Sequence, residues 1–149
     1  RVLELYSGAG LFTLPLAALA GDRGQVLSLE GNEQAVRDAR RTLHDHPTAR
    51  LASGRVSARS VRELAGSFTG GRPDVVVLDP PRQGAGREVI EAVGALGAER
   101  IVLVACDPAA LARDLGTLLR SGYTLGSMSA LDMFPHTHHF ETIAVLERS

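Results

Sequence analysis

Three residues in this sequence have side chains and settings suited to covalent or proton-transfer chemistry: Cys106, Asp79 and Glu141. Cys106 closes the apolar run Ile101-Val102-Leu103-Val104-Ala105 and is followed by Asp107-Pro108, a capping carboxylate and a first-turn proline that open a helix. The partial positive charge of a helix start favours thiolate over thiol, and a strand-end position keeps the sulfur near a ligand cleft. A lone cysteine can equally be a small core residue. Asp79 ends Val75-Val76-Val77-Leu78 and precedes Pro80-Pro81. Consecutive prolines fix the backbone and cannot continue a strand, so Asp79 is expected at a cleft mouth as a preset hydrogen-bonding group, unless it is simply an exposed acid on a turn. Glu141 opens Thr142-Ile143-Ala144-Val145-Leu146, a strand apolar on both faces. A partly desolvated carboxylate there suits a proton acceptor, the plainer alternative being an edge-of-sheet glutamate.

A second constellation points to a ligand. Tyr6-Ser7-Gly8-Ala9-Gly10-Leu11-Phe12 forms a glycine turn between a first strand and a first helix, at the edge where open parallel sheets bind their ligands. Gly8 and Gly10 permit close backbone approach. A dinucleotide fingerprint wants a third glycine where this chain has Thr13, which weakens NAD as the ligand. Glu30 ends the second strand about 20 residues past the turn, where a carboxylate can accept from both hydroxyls of a ribose. Glycines and Glu30 together favour an adenosine-type ligand over a bare turn. Three histidines at 136, 138 and 139 invite a zinc reading, but no cysteine or second ligand cluster accompanies them, and no metal is expected.

These residues must be positioned by alternating elements. Strands are expected at 1–6, 25–30, 50–56, 74–79, 100–106, 124–131 and 141–147, with helices at 11–20, 33–45, 60–65, 87–96 and 108–121, and 66–73 as one loop. That alternation predicts an α/β, doubly wound, Rossmann-like parallel sheet closed by an antiparallel hairpin, with the strand order left open. The chain has 149 residues, 44% of them hydrophobic, and a formal net charge of −1, which fits one domain with its own core. Such a balance excludes a domain that holds nucleic acid by bulk electrostatics alone. One cysteine excludes an internal disulfide, and the absence of any long apolar run or leader pattern makes a cytoplasmic location without membrane contact the expectation. All 16 basic residues are Arg, a sign of base composition more than of mechanism. No initiator Met precedes the first strand, so the chain is expected to be part of a longer protein.

The segments Leu3-Glu4-Leu5-Tyr6-Ser7-Gly8-Ala9-Gly10, Leu78-Asp79-Pro80-Pro81-Arg82, Ala105-Cys106-Asp107-Pro108-Ala109-Ala110-Leu111-Ala112-Arg113-Asp114 and Asp132-Met133-Phe134-Pro135-His136-Thr137-His138-His139-Phe140-Glu141 together resemble the RNA 5-methyluridine methyltransferases. The resemblance covers essentially the whole chain. It implies a class I fold of seven strands, and an S-adenosyl-L-methionine-dependent enzyme that methylates carbon 5 of a uridine in RNA. On the matching motifs Cys106 becomes the nucleophile and Glu141 the base, with Asp79 at the seam between cofactor and uracil. Tyr6, Gly8, Gly10, Leu11, Glu30 and Asp79 fall on cofactor positions. Many relatives have Cys at Ser7 and Asn at Leu11, so Leu11 would meet the cofactor through its backbone alone. A cofactor-contacting glutamine and an OB-type RNA-gripping domain lie upstream in such enzymes, so RNA would be held mainly by a part absent from residues 1–149, by a monomer. The Asp132-Met133-Phe134-Pro135 form favours ribosomal over transfer RNA. Competing readings are an amino-group N-methyltransferase using the Asp79-Pro80-Pro81 loop, a non-catalytic cofactor-binding module, and an NAD-dependent oxidoreductase.

Overall fold

Alternating hydrophobic runs and helical patterns along the chain become one seven-stranded sheet and its covering helices in the computed structural model, which describes residues 1–132 and 141–149. The strands are β1 (Val2–Leu5), β2 (Val26–Glu30), β3 (Ala49–Ser53), β4 (Val75–Leu78), β5 (Arg100–Ala105), β6 (Tyr123–Leu131) and β7 (Glu141–Arg148). The helices are α1 (Thr13–Ala20), α2 (Glu33–Thr42), α3 (Ala58–Ala65), α4 (Arg87–Ala95) and α5 (Pro108–Arg120). The strand order is β3-β2-β1-β4-β5-β7-β6, with β7 antiparallel to both its neighbours and the other pairings parallel. The hairpin therefore folds back, placing its second strand against β5.

Most elements begin and end within a few residues of expectation, and the differences have local causes. β1 stops before Tyr6 because that residue takes φ +63°, the left-handed region, where a strand cannot continue. α1 begins at Thr13, since the turn through Gly8 and Gly10 (φ +53° and +90°) consumes the residues before it. Pro15 is tolerated because the amides of a first helical turn need no partner in the helix. α2 ends at Thr42, followed by a turn in which the His46 N–H donates to the Leu43 carbonyl at 2.9 Å. Pro47 disfavours helical geometry at the residue before it. β3 ends at Ser53, leaving Arg55 and Val56 outside the sheet. α3 opens two residues early because Ser57 and Ser60 satisfy each other's backbone amides as a capping box.

One sheet face carries Leu3, Leu5, Val76, Leu78, Ile101, Leu103, Ala144 and Leu146 into a continuous core with Val61, Ile90 and Leu118 of the helices. Glu4 alternates to the other face, where it is 1% exposed. Its Oε2 accepts from the Thr13 and Ser28 hydroxyls, both at 2.5 Å, which tie α1 and β2 to β1. Burial pushes the Glu4 carboxyl above its ordinary value, and the two hydroxyls hold it down in part. Thr13→Val removes one donor from a buried anion and is expected to cost about 1.5–3 kcal/mol. A carboxyl held above its unfolded value makes the fold gain stability as pH falls through that raised value. With one hydroxyl gone the Glu4 value rises further, so the deficit of Thr13→Val narrows on acidification. Urea titrations across neutral and mildly acidic pH measure this; a deficit independent of pH contradicts it.

Candidate active site

The chain runs outward from β1 to β3, crosses back, and continues from β4, so β1 and β4 flank the point where the winding reverses. Crevices form at the carboxyl ends of strands at such a point. Leu5 lies beside Leu78 in register, and the Asp79 N–H donates to the Leu5 carbonyl at 3.3 Å. The crevice measures about 510 Å3 and is lined by Tyr6, Glu30, Gly31, Arg55, Val56, Pro81, Gln83, Gly84, Ala85 and Gly86.

Glu30 does more here than end a strand. One carboxylate oxygen accepts the Gly8 N–H at 2.9 Å and the other the Asn32 N–H at 2.6 Å, tying the glycine turn to the start of α2. Each oxygen keeps a further lone pair for a ligand hydroxyl. Tyr6 lines the wall half-buried, its hydroxyl pushed up to about 12 by burial and then by the negative charge of Asp114, so it stays protonated as a donor. Gly10 answers a packing demand: a Cβ there would stand 3.2 Å from Ala39 Cβ of α2 and 3.4 Å from Leu43 Cδ1. Leu11 is 79% exposed and is not part of the crevice lining.

The antiparallel register brings Cys106 and Glu141 to the same end of the sheet. Ala105 pairs with Thr142, so Cys106, the residue after β5, and Glu141, the first residue of β7, lie at the same end of the two strands. Both are half-buried, and Cys106 is a free thiol. Behind Cys106, Asp107 Oδ1 accepts the Ala110 N–H at 2.7 Å and caps α5. Asp79, directly after β4 on the other flank of β5, is exposed. Even so, lost hydration pushes its carboxyl up from the ordinary value, and the Glu141 charge adds to the effect. Thiol and two carboxylates thus share one edge, next to the crevice. The sequence singled out all three, together with Tyr6 and Glu30. It missed Arg55, Val56 and the 83–86 wall, for which Gly54 after β3 and the glycines around Gln83 were the available signals.

Among the described residues, no helix is long and apolar enough to cross a membrane, and no three His, Cys, Asp or Glu are grouped to hold a metal ion. Residues 133–140, which include the histidines at 136, 138 and 139, lie outside the described residues.

A sheet ordered β3-β2-β1-β4-β5-β7-β6, with a lone antiparallel strand inserted beside β5 and a nucleoside-sized crevice at its switch point, has the architecture of the class I S-adenosylmethionine-dependent methyltransferases. Fibrillarin from Aeropyrum pernix, with natively bound S-adenosyl-L-methionine, shares this fold at a TM-score of 0.76 and 17% identity, over 97% of this chain and 65% of that one. Within the class, this chain belongs to the tRNA (uracil-5-)-methyltransferase family, which matches residues 1–149. A Streptomyces avermitilis protein named as an uncharacterized RNA methyltransferase is 47% identical over 145 residues, which are 97% of this chain and 32% of that protein. The 23S rRNA (uracil(1939)-C(5))-methyltransferase RlmD of Acinetobacter baumannii is 40% identical over 149 residues, 99% of this chain and 32% of its own length. The tRNA (uracil-54, C5)-methyltransferase of Pyrococcus abyssi, solved with S-adenosyl-L-homocysteine, superposes at a TM-score of 0.76 with 32% identity, over 98% of this chain and 34% of that one. The chain spans about a third of the length of the curated relatives it matches.

Proposed function

We propose that this chain is the catalytic part of an enzyme that methylates carbon 5 of a uridine in RNA, with Cys106 as nucleophile and Glu141 as base. The observation that carries the reading is the strand register that brings Cys106 and Glu141 to the same end of β5 and β7, beside Asp79 and the crevice. Carbon 5 of uracil is too weakly nucleophilic to take a methyl group unaided. Addition of the Cys106 thiolate to carbon 6 pushes the ring electrons into an enolate that is nucleophilic at carbon 5. When bound, S-adenosyl-L-methionine would supply an electrophilic methyl on its sulfonium, with the neutral thioether as leaving group. Glu141 then takes the carbon 5 proton, the electron pair of that C–H bond re-forms the ring double bond, and the Cys106 thiolate leaves. Asp79 would hydrogen-bond at the seam between the cofactor and the uracil. The uridine must be turned out of its stack for the thiolate to reach the ring face.

The crevice suits the cofactor in size, and Tyr6, the Gly8 turn and Glu30 would hold it, Glu30 at the ribose. A ribosomal RNA target is favoured by the 40% identity to an enzyme named for 23S rRNA, against 32% to one named for tRNA. A formal net charge of −1 leaves little bulk attraction for a polyanion, which supports an RNA grip lying outside these residues.

The decisive experiment incubates the full-length enzyme with cofactor and RNA carrying 5-fluorouridine. Fluorine at carbon 5 cannot leave as a cation, so the covalent adduct persists. Mass spectrometry should find Cys106 joined to a methylated fluorouridine, and an adduct on another residue, or none, refutes the mechanism. Glu30→Ala should weaken calorimetric binding of S-adenosyl-L-methionine by about 1.5–3 kcal/mol, the range for lost charge-assisted hydrogen bonds. Unchanged affinity would remove Glu30 from the ribose.

A further inference from the structure

Asp114 is a buried carboxylate that the proposed chemistry leaves unused. It lies two turns along α5 from the Asp107 cap, on the helix that begins directly behind Cys106, and is 5% exposed. Its Oδ2 accepts the Ala85 N–H at 2.8 Å, and burial pushes the carboxyl above its ordinary value, which that bond holds down in part. Arg113 beside it donates to the Gln83 carbonyl at 3.4 Å. The loop is fitted closely to these groups. Gly84 has φ +84°, and a Cβ there would stand 2.8 Å from Asp114 Oδ2 and 3.3 Å from Ala110 Cβ. An uncompensated carboxylate in the interior is costly, and an apolar side chain would fill a buried helix position without that penalty. Here the backbone amide of Ala85 offsets part of that penalty, and Ala85 with Gln83, Gly84 and Gly86 forms a wall of the crevice.

We infer that Asp114 is a positioning residue: its carboxylate clamps the Gln83 to Gly86 loop into the shape that forms the cofactor wall, and so ties that wall to the helix that presents Cys106. The inference rests on the cofactor reading above. It concerns the loop that follows Asp79, and assigns Asp114 no contact with the reacting atoms.

The test uses the full-length enzyme and the variants Asp114→Ala, Asp114→Asn, Gly84→Ala and Tyr123→Phe. Amide exchange reads the loop directly, and steady-state kinetics at saturating RNA reads KM for S-adenosyl-L-methionine. Asp114→Ala should speed exchange at Ala85 and Gly86 by about tenfold or more, and raise the cofactor KM by about tenfold while kcat stays within about threefold. Asp114→Asn keeps an acceptor oxygen and should stay closer to wild type in both readouts. The Tyr123 hydroxyl bonds the Ala98 carbonyl at 2.9 Å, at the opposite edge of the sheet; its loss should lower thermal stability and leave KM unchanged. If Tyr123→Phe raises KM as Asp114→Ala does, the effect is general loosening and the clamp is refuted. Gly84→Ala attacks the contact from the loop side and decides the matter if Asp114→Ala fails to fold. Wild-type exchange and KM in that variant would overturn the proposal. A wild-type enzyme that binds no S-adenosyl-L-methionine would sink the cofactor reading instead, and amide exchange would then judge the clamp by itself.

Discussion

Replacing Cys106 with Ala in the full-length enzyme is expected to abolish methylation, by at least about 10⁴-fold, and to eliminate the covalent adduct with 5-fluorouridine RNA. No other described cysteine can substitute, since the chain contains one. Without addition at carbon 6 the uracil ring never becomes nucleophilic at carbon 5, so the loss falls on the chemical step. Cofactor affinity should stay within a few fold, because Cys106 follows β5 while the crevice is built from Tyr6, Glu30 and the 83–86 wall. Calorimetry with S-adenosyl-L-methionine and adduct gels on the same preparation separate the two effects. A Cys106→Ala enzyme that still methylates carbon 5 would falsify the nucleophile assignment, and one that loses cofactor binding in parallel would mean the residue serves the fold.

Glu141→Gln should slow turnover by about 10²–10⁴-fold, and at a different step. Glutamine keeps the size and an acceptor oxygen but cannot take the proton as a carboxylate does. Addition and methyl transfer precede proton removal, so the variant should stall with RNA still bound to Cys106 and already methylated. With a labelled methyl group, a denaturant-resistant, labelled protein–RNA adduct accumulates on natural uridine, where wild type shows little. The same charge removal takes away the repulsion that helps to raise the Asp79 carboxyl, so Asp79 should titrate lower in this variant. If no labelled adduct builds up and product forms at near wild-type rate, Glu141 is only a strand-edge carboxylate.

Element types and approximate bounds were legible because they depend on neighbours in the chain. β-Branched runs make strands, Asp107-Pro108 starts a helix, and Gly8, Gly10 and Pro80-Pro81 force turns at strand ends. Those same local signals exposed the reactive groups, since a cysteine or carboxylate at the end of an apolar strand stands at the sheet edge whatever surrounds it. The family resemblance put Tyr6 at a cofactor position, while the local pattern carried it into the strand, because nothing in its side chain announces a left-handed backbone.

Relations between distant segments were decided by tertiary packing. Insertion of β7 between β5 and β6 puts Glu141 beside Cys106, and no periodicity within either strand specifies that pairing. Glu30 was expected as a ribose acceptor, but only the folded chain turns it to hold the Gly8 amide. Gly10 resembled a ligand glycine and is also the place where α2 comes too close for a side chain. Asp114 stood in a recognised motif without a role until the Ala85 amide was seen to point at it. Hydrophobic patterning acts within a few residues, whereas hydrogen-bond geometry and close contact are satisfied across the fold. The sequence by itself therefore determined which residues reach the sheet edge, and the tertiary structure decided which of them face one another there.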